Sequence, residues 1–501
     1  MTSRSLLTII LCFLVSFGGR AGSSSVIHVD SQESFACLQQ KFDAAIAKGD
    51  KSIVIDFAPG RYFFSEKHLC IINRNLPDVS VTIKGHDAVL TGSGAVVQPG
   101  EPFNVNSAYL DADDVLLRFG PSFKARSIAV SVEDDLYRIK VPWAALRGFK
   151  EGYVKITEAY EAHNYKVEAI KGRKVFFRAQ SGDLLNKDFS FGAQMPRVRF
   201  SNSHVGSSVF RCDACCFLYV YGSVLKSLTI EGLDFFGNGI VQYMSLFRTI
   251  NVKSDSFGIK SCTFRGLAGN LMEAQNTSNI QFISNKVSNC EGFGLTADVR
   301  CYGTIAESNS FSYTGLGMGP TFCICVRGEN YLVRDNEFCN FGYCAVAVGV
   351  FYADDIPTRS CGVVENNRMY YTADYIAAIE DYQVMDGGAI YVFTRNDGAI
   401  IRNNVIHDIA GRYQNRGIFL DDGAYGVEIS GNTVYNIHNS YCIDSRRVKG
   451  FEASLDPVSK VERTNINNSV FDNIVDGNIR FEPREGQDNG CYLGTNYKII
   501  K

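Results

Sequence analysis

The 501-residue sequence predicts an all-β protein folded as a parallel β-helix, a solenoid whose coils stack along one axis. A short pattern centred on asparagine recurs through the second half of the chain, which is typical of stacked repeats. The segments between these asparagines read as short β-rich bursts, such as residues 388–393, and lack the three- and four-residue apolar spacing of helices. One amphipathic segment, residues 34–49, predicts a helix that caps the open end of the solenoid.

The N-terminus has the layout of a secretory signal peptide over residues 1–21. Arg4 precedes an apolar run, residues 6–17, and small residues follow it. The run is too short to span a bilayer, and no later segment is long and apolar enough to do so. We therefore expect an exported protein, periplasmic or extracellular, without a membrane span.

Composition narrows the partners and ligands. The formal net charge of -3 argues against nucleic acid as a partner, because binding to a polyanion requires positive charge, but it leaves carbohydrate open. The 16 cysteines are scattered, many in apolar segments, and we interpret most of them as small buried side chains. Cys212, Cys215 and Cys216 have no second cysteine pair or histidine cluster beside them, so no metal site is predicted. We expect a monomer.

Four parts are predicted along the chain. These are the signal peptide (1–21), the N-terminal cap and first coils (22–100), a β-rich insertion (101–200), and the β-helix with cleft-forming loops (201–501). Strands are predicted at residues 52–57 and 79–84 after the helix. The insertion lacks the asparagine pattern but keeps alternating β patterns at residues 135–141 and 174–178.

The repeating frame is one or two polar residues, an asparagine, any residue, and then an apolar residue. Cys262 occupies the asparagine slot of an early copy. The later copies place asparagine at Asn285, Asn309, Asn336, Asn367, Asn404, Asn432 and Asn468. Such an asparagine suits a bend, where its amide bonds backbone groups of its own turn and stacks on the asparagine of the next coil.

The spacing between these asparagines locates the functional cleft. The steps are 24, 27, 31, 37, 28 and 36 residues, against a shortest coil of 23 residues from Cys262 to Asn285. The longer steps imply insertions, which in a solenoid gather on one face and commonly build its binding surface. The cleft is therefore expected beside residues 336–468.

Three ordered motifs carry a resemblance to a known superfamily: DGG-x-I-Y at residues 386–391, NN-x-I-H-D at 403–408, and G-I-x-L-D-D-G at 417–423. Together they resemble the pectate-lyase-like, right-handed parallel β-helix enzymes, and most closely the β-helical glycoside hydrolases in the neighbourhood of families 141 and 120, which act on xylosides or fucosides. The resemblance implies a hydrolase of a complex polysaccharide or oligosaccharide and favours Asp386 as a catalytic carboxyl.

The residues themselves give a separate reason to expect glycoside cleavage, which usually requires two carboxyl groups flanking the bond. Asp421 and Asp422 close a predicted strand, so one of them points outward whichever parity applies. Aligning residues 390–393 with 418–421 puts Phe393 beside Asp421 and brings Asp444 within a position or two of the same column, a spacing suited to a retaining mechanism. Asp386 lies seven residues before this column, roughly 23 Å along a straight strand, so only a bend brings it close.

Three further residues are candidates for substrate binding. They are Tyr391 in the first motif, His407 in the second, and Arg416 just before the third. His407 either lines the cleft or hydrogen-bonds a turn. Arg416 either holds a substrate hydroxyl, offsets an aspartate, or is a solvated residue of its coil. No cofactor is expected for a hydrolase of this kind.

Two other functions remain open from the sequence. A polysaccharide lyase acting on a uronic-acid glycan would use a Lys or Arg base and commonly Ca²⁺. No Lys occurs from residue 330 to 448, which leaves Arg395, Arg402, Arg412 and Arg416 as bases. A non-catalytic glycan-binding solenoid is the second alternative, and it predicts aromatic platforms without paired carboxylates.

Overall fold

The protein is described by a computed structural model. The described residues are 23–31, 33–64, 69–92, 123–124, 130–133, 136–140, 153–157, 162–178, 197–201, 216–236, 245–265, 267, 270–290, 292–315, 321–349, 360–378, 387–393, 395–410, 415–421, 424–438, 440–445, 468–481, 492–493 and 498–499. The predicted signal peptide, residues 1–21, lies outside them. Among the described residues, no helix has the length and apolar character needed to cross a membrane.

Three parallel sheets, named A, B and C here, form the faces of a right-handed parallel β-helix. Sheet A contains β1 (Ser24–Val29), β2 (Ser52–Phe57), β5 (Asn75–Gly85), β15 (Val224–Glu231), β17 (Ser245–Lys260), β20 (Ile280–Ile283), β23 (Ile305–Glu307), β26 (Glu329–Arg334), β29 (Cys361–Glu365), β32 (Arg395–Arg402), β35 (Tyr425–Ser430), β38 (Ser469–Phe471) and β41 (Tyr492–Leu493). Sheet B contains β3 (Gly60–Phe64), β6 (Ala88–Gly92), β16 (Asp234–Phe236), β18 (Thr263–Arg265), β21 (Lys286–Cys290), β24 (Ser310–Thr314), β27 (Glu337–Cys339), β30 (Arg368–Tyr370), β33 (Val405–Ile409), β36 (Thr433–Ile437), β39 (Ile474–Val475) and β42 (Lys498–Ile499).

Sheet C forms the third face, and the long strand β17 runs from it into sheet A. Besides β17 it contains β4 (Leu69–Ile72), β14 (Leu218–Tyr221), β19 (Asn270–Thr277), β22 (Leu295–Ala297), β25 (Phe322–Val326), β28 (Cys344–Val348), β31 (Gly388–Val392), β34 (Arg416–Leu420), β37 (Ile443–Ser445) and β40 (Ile479–Phe481). A short helix, Ala373–Ala378, lies between β30 and β31. The parallel β-helix predicted from the sequence is thus confirmed.

The N-terminal helix, Phe35–Lys48, covers the open end of the solenoid. Its boundaries follow the capping residues in the sequence: the Ser34 hydroxyl accepts a hydrogen bond from the Cys37 amide, and Gly49 adopts a left-handed φ of 86°. The Phe35 ring packs edge-on against Phe217, with ring centroids 5.7 Å apart. The helix therefore seals the core of the first coils, as predicted.

An asparagine ladder runs along one corner of the solenoid. At each step, the backbone N–H and the Nδ2 of one asparagine both donate to the Oδ1 of the asparagine on the next coil, over 2.9–3.1 Å. The same Nδ2 also donates to a backbone carbonyl, for example from Asn367 to Val333. The residue before each ladder position has a positive φ, as at Asp335 and Asn366, which explains the polar residues of the repeating frame. Cys262 begins the ladder by donating its amide to Asn285.

The last ladder position is Asn473, and the sequence-based assignment to Asn468 is wrong. Asn432 donates to the Oδ1 of Asn473 over 2.9 Å through both its amide and its Nδ2. Asn468 occupies a different position, where its Oδ1 accepts from Val427 and its Nδ2 donates to Ala424. Residues 472–475 match the repeating frame as closely as residues 335–338 do. The assignment went instead to Asn468, five residues earlier, which also matches the frame.

The predicted β-rich insertion contains an antiparallel sheet separate from the solenoid sheets. Its strands are β7 (Phe123–Lys124), β8 (Val130–Glu133), β9 (Leu136–Lys140), β10 (Tyr153–Thr157), β11 (Ala162–Lys171), β12 (Lys174–Arg178) and β13 (Arg197–Ser201). In the solenoid, β4, β5 and β6 pair directly with β14, β15 and β16. The insertion therefore lies between two consecutive coils without interrupting their stacking.

Columns of apolar side chains fill the interior. Phe235, Phe264, Phe282, Phe311 and Phe338 stack on successive coils with neighbouring ring centroids 5.1–6.2 Å apart. Several free cysteines are buried in the same interior or against it, as the sequence suggested: Cys262, Cys290, Cys301, Cys323, Cys325, Cys344 and Cys442.

We expect Asn404→Ala to lower the free energy of unfolding by about 3 kcal/mol, because it leaves buried donors of the ladder without an acceptor. Asn404 accepts two hydrogen bonds from Asn367 and donates to Asn432 and Val364. Urea denaturation followed by circular dichroism measures the change. The control Val405→Ala, at the adjacent exposed position, is expected to change stability by no more than about 0.5 kcal/mol. Equal losses in the two variants would contradict the ladder's role.

Candidate active site

The outward face of sheet C carries an ordered column of side chains over four consecutive coils. The strand register places Tyr391 beside Phe419, Phe419 beside Asp444, and Asp444 beside Arg480. The alternating neighbours, such as Ile390 and Ile418, point into the core, so the column points away from it. Tyr391, Phe419 and Asp444 are nevertheless buried, and this face is shielded from bulk solvent.

Asp421 occupies the next outward position after Phe419. Its backbone amide donates to the Val392 carbonyl over 3.0 Å, which extends the pairing of Val392 with Leu420 by one residue. The predicted alignment of residues 390–393 with 418–421, and with it the placement of Phe393 beside Asp421, is confirmed. Asp421 is only 7% exposed.

Tyr391 hydrogen-bonds the Asp421 carboxylate. Its hydroxyl donates to Oδ2 over 2.5 Å. Burial raises the pKa of Tyr391 far above its ordinary value, and the negative charge of Asp421 raises it further. The phenol therefore stays protonated across the physiological range and remains a donor to Asp421.

Aromatic rings surround this pair. The Tyr391 ring lies 4.9 Å from Phe393, 5.5 Å from Phe419 and 6.1 Å from Tyr343, measured between centroids. Arg327 adds a positive charge, with its guanidinium carbon 5.7 Å from the Phe393 ring. In such apolar surroundings, electrostatic interactions with Asp421 are stronger than they would be in water.

Asp444 is held between two arginines. The Nε of Arg416 donates to its Oδ2, and Arg480 binds both carboxylate oxygens, over 2.7 Å to Oδ1 and 2.7 Å to Oδ2. Arg416 and Asp444 are both fully buried. The Arg416 guanidinium also packs on the Phe419 ring, 3.7 Å from its centroid, and Arg480 packs on Tyr441 at 4.4 Å. Three hydrogen bonds thus fill most of the acceptor positions of Asp444.

Sequence reasoning missed Arg480. Arg480 lies between Ile479 and Phe481, which pair with Ile443 and Ser445, the two neighbours of Asp444. A search for charged residues at outward positions of every coil would have found it. The coil that contains Arg480 follows a long interval between ladder asparagines. Because the ladder position was assigned to Asn468, the strand register expected for this coil was wrong.

Parts of the three sequence motifs serve the solenoid and not the site. Asn404 belongs to the ladder, and Asn403 supplies the positive φ before it. A Cβ at Gly417 would lie 2.4 Å from the Cys442 carbonyl oxygen and 2.5 Å from a methyl group of Val434, so this position requires glycine for coil packing. In the described part of the first and third motifs, the residues left to carry chemistry are Tyr391 and Asp421.

His407 lies on sheet B, apart from the sheet C column. Its ring is sandwiched between Tyr370 and Tyr435, each 5.1 Å away and nearly parallel. Its Nδ1 is 2.6 Å from the Asp408 carboxylate. Burial raises the pKa of Asp408, but hydrogen bonds from His407 and Asn436 outweigh it and leave that pKa below its ordinary value. The structure therefore holds His407 in a side-chain stack along the solenoid and does not bring it beside Asp421.

Asp386 and Asp422 lie outside the described residues. The structure accordingly brings together four of the seven predicted site residues: Tyr391, Arg416, Asp421 and Asp444. In the described part of the chain, no group of three or more His, Cys, Asp or Glu side chains is arranged to hold a metal ion.

Comparisons with known proteins find structural likeness only. No family model and no curated protein sequence matches the chain. A solved structure named as a glycoside hydrolase is 12% identical, with a TM-score of 0.48, and the match covers 95% of this chain and 97% of that one. The A-module of a mannuronan C-5 epimerase from Azotobacter vinelandii is 11% identical (TM-score 0.39, 97% of each chain), and the Dettilon tailspike protein is 9% identical (TM-score 0.39, 94% of this chain and 66% of that one). At these identities the likeness concerns architecture and not chemistry, and the resemblance to families 141 and 120 stays a prediction.

We expect Asp444→Ala to destabilise the protein by about 3–5 kcal/mol, because it leaves the fully buried Arg416 without its carboxylate. The control is Glu365→Ala, which removes the carboxylate of an Arg–carboxylate pair on sheet A whose Arg402 is 45% exposed. That loss should be about 1 kcal/mol or less. Urea denaturation of both variants measures the difference. Similar losses of stability would contradict the description of Arg416 as a buried charge that depends on Asp444.

Proposed function

We propose that the chain is an exported glycoside hydrolase that cleaves glycosidic bonds of a complex polysaccharide or oligosaccharide on the outward face of sheet C. The observation that carries the proposal is the Asp421 carboxylate, buried among aromatic rings and hydrogen-bonded by Tyr391 at the end of β34. Glycoside cleavage usually uses a pair of carboxyl groups, of which Asp421 would supply one, and aromatic rings suit the apolar faces of sugars.

Asp421 is assigned the role of the ionised carboxyl, the nucleophile or the base. The hydrogen bond donated by Tyr391 favours the ionised form of its acceptor, since a protonated carboxyl oxygen accepts it less well. The second carboxyl, which protonates the leaving oxygen, is assigned to Asp386 or Asp422. Asp422 is the next residue in the chain, and Asp386 precedes the strand that carries Tyr391.

Asp444 and Arg416 are assigned a positioning role. The Cα atoms of Asp421 and Asp444 are offset by one coil and two residues, roughly 8 Å, so Asp444 is near the site. Its oxygens, however, are occupied by Arg416 and Arg480. The three charges hold the Phe419 ring and the strand end that carries Asp421, and we expect no direct proton transfer by Asp444.

A lyase is less well supported by the same contacts. Of the arginines that the sequence offered as its base, Arg416 is fully buried and paired with Asp444. Arg402 pairs with Glu365 on sheet A, and Arg395 also belongs to a strand of sheet A. Arg412 lies outside the described residues. A guanidinium held by a carboxylate is a poor base, so hydrolysis is the better proposal.

Asp421→Asn is expected to reduce turnover by at least about 10⁴-fold while polysaccharide binding and thermal stability persist, because the amide keeps the shape but not the charge. Reducing-end release from xylan and fucoidan measures turnover, and ultraviolet absorbance of the products reports elimination. Asp386→Asn and Asp422→Asn, tested in parallel, identify the second carboxyl by the same loss.

The matched control for these variants is Asp335→Asn, an exposed aspartate with a positive φ in the turn after β26, which should keep full activity. Asp444→Asn is expected to lose stability as well as activity. Full activity in all four site variants, Asp386, Asp421, Asp422 and Asp444, would overturn the proposal, and an unsaturated product would establish the lyase instead.

Tyr391→Phe is expected to lower kcat about 10- to 100-fold and to shift the acidic limb of the pH–rate profile toward higher pH. Without the phenol donor, the ionised form of Asp421 loses its stabilisation, and its pKa rises. Steady-state kinetics across pH measure both effects. An unchanged pH profile would show that the phenol does not set the charge of the reacting carboxyl.

A further inference from the structure

A second set of outward side chains lies on sheet C, in the coils nearest the N-terminal cap. Tyr219 and Tyr221 both point outward from β14, and their ring centroids are 6.3 Å apart with planes 29° from parallel. Tyr221 is 37% exposed, and Ile72, beside it on β4, is 42% exposed. This apolar patch faces solvent, unlike the shielded column around Asp421.

Polar groups border the two rings on the side toward the candidate active site. The register places Arg248 beside Tyr219, and Glu273 beside Arg248. Glu273 is oriented by its neighbours: the Gln275 amide donates to its Oε1 over 2.6 Å, and the Arg248 Nε lies 3.6 Å from its Oε2. Arg248 itself is 43% exposed. Donors and acceptors of both charges therefore meet an aromatic surface.

We propose that this tyrosine ledge, formed by Tyr219, Tyr221, Arg248, Glu273 and Gln275, is a second carbohydrate-binding site that holds a distant part of the polysaccharide being cleaved. Pyranose rings present apolar C–H faces, which pack on aromatic rings, and equatorial hydroxyls, which pair with carboxylate, amide and guanidinium groups. The inference rests on the proposed function for its substrate class.

The position of the ledge gives the substrate a minimum length. The strands β14 and β34 belong to the same sheet and are seven coil steps apart, so the ledge and Asp421 are separated by roughly 34 Å along the solenoid axis. A glycan that binds the ledge and also reaches Asp421 must span that distance, whereas a short oligosaccharide would reach only one of the two sites. The proposal therefore implies a long polysaccharide chain as the substrate.

Binding is tested with the full-length chain carrying Asp421→Asn, so that polymer is not consumed. Xylan and fucoidan, each as long chains and as short oligosaccharides, are titrated by isothermal calorimetry. Adding Tyr219→Ala and Tyr221→Ala should weaken polymer binding at least about tenfold and leave oligosaccharide binding at the candidate active site within about twofold. Glu273→Gln, which keeps the side-chain shape, should weaken polymer binding in the same direction.

The matched control is Tyr302→Ala, which removes a tyrosine that is 51% exposed and lies in a bridge alongside sheet A. It should change nothing. Equal polymer affinity in the ledge variants and the control, or no polymer binding by the parent chain, would overturn the ledge. Self-association that disappears in the ledge variants, measured by sedimentation, would overturn it in favour of contact between two copies.

Activity separates this inference from the proposed function. With Asp421 restored, the ledge variants should show a raised KM for polymer and an unchanged kcat/KM for a short aryl glycoside. Polymer binding that depends on the ledge without any hydrolysis would support the ledge and reject the hydrolase. Hydrolysis of polymer with an unchanged KM in the ledge variants would support the hydrolase and reject the ledge.

Discussion

The asparagine ladder is the interaction on which the rest of the structure depends. Each ladder asparagine accepts two hydrogen bonds at its Oδ1 from one neighbouring coil and donates two to the other, one from its backbone N–H and one from its Nδ2. It thereby fixes how far each coil is displaced along its strands. A slip of one residue would turn every side chain of a strand to the opposite face. Because the ladder resets the register on each coil, steps as different as 24 residues from Asn285 to Asn309 and 41 residues from Asn432 to Asn473 can follow one another.

That fixed register lets residues far apart in the chain form one site. Tyr391, Asp421, Asp444 and Arg480 come from four coils, yet they meet because outward positions align from coil to coil. The same alignment places charged groups on a shielded face, where they must be paired because an unpaired charge would lower the stability of the fold. The two arginines around Asp444 meet that requirement and also hold the strand ends in place, so stability and site geometry depend on the same contacts.

The sequence was informative wherever one local signal decides one local structure. Ser34 and Gly49 mark the ends of the cap helix, and the asparagine frame marks the corner of each coil. Alignment of two motifs placed Phe393 beside Asp421 correctly, because parallel strands of equal length leave little freedom. The face on which His407 lies, and the pairing of Asp444 with Arg480, could not be read in this way. The face of His407 depends on where its coil turns, and the pairing of Asp444 with Arg480 depends on how many residues separate the two coils. No local sequence pattern encodes either.

The buried cysteines bear on how the chain can mature. Burial raises the pKa of Cys262 and Cys301 to about 12, and that of Cys323 and Cys344 well above its ordinary value. Disulfide exchange requires the thiolate, so these sulfurs are nearly inert once the coils have closed over them. In an oxidising compartment, these thiols can form disulfides only during folding, while they are still exposed. Rapid stacking of coils would then act as the protection that keeps them reduced, and slow folding would trap the chain in mispaired disulfides.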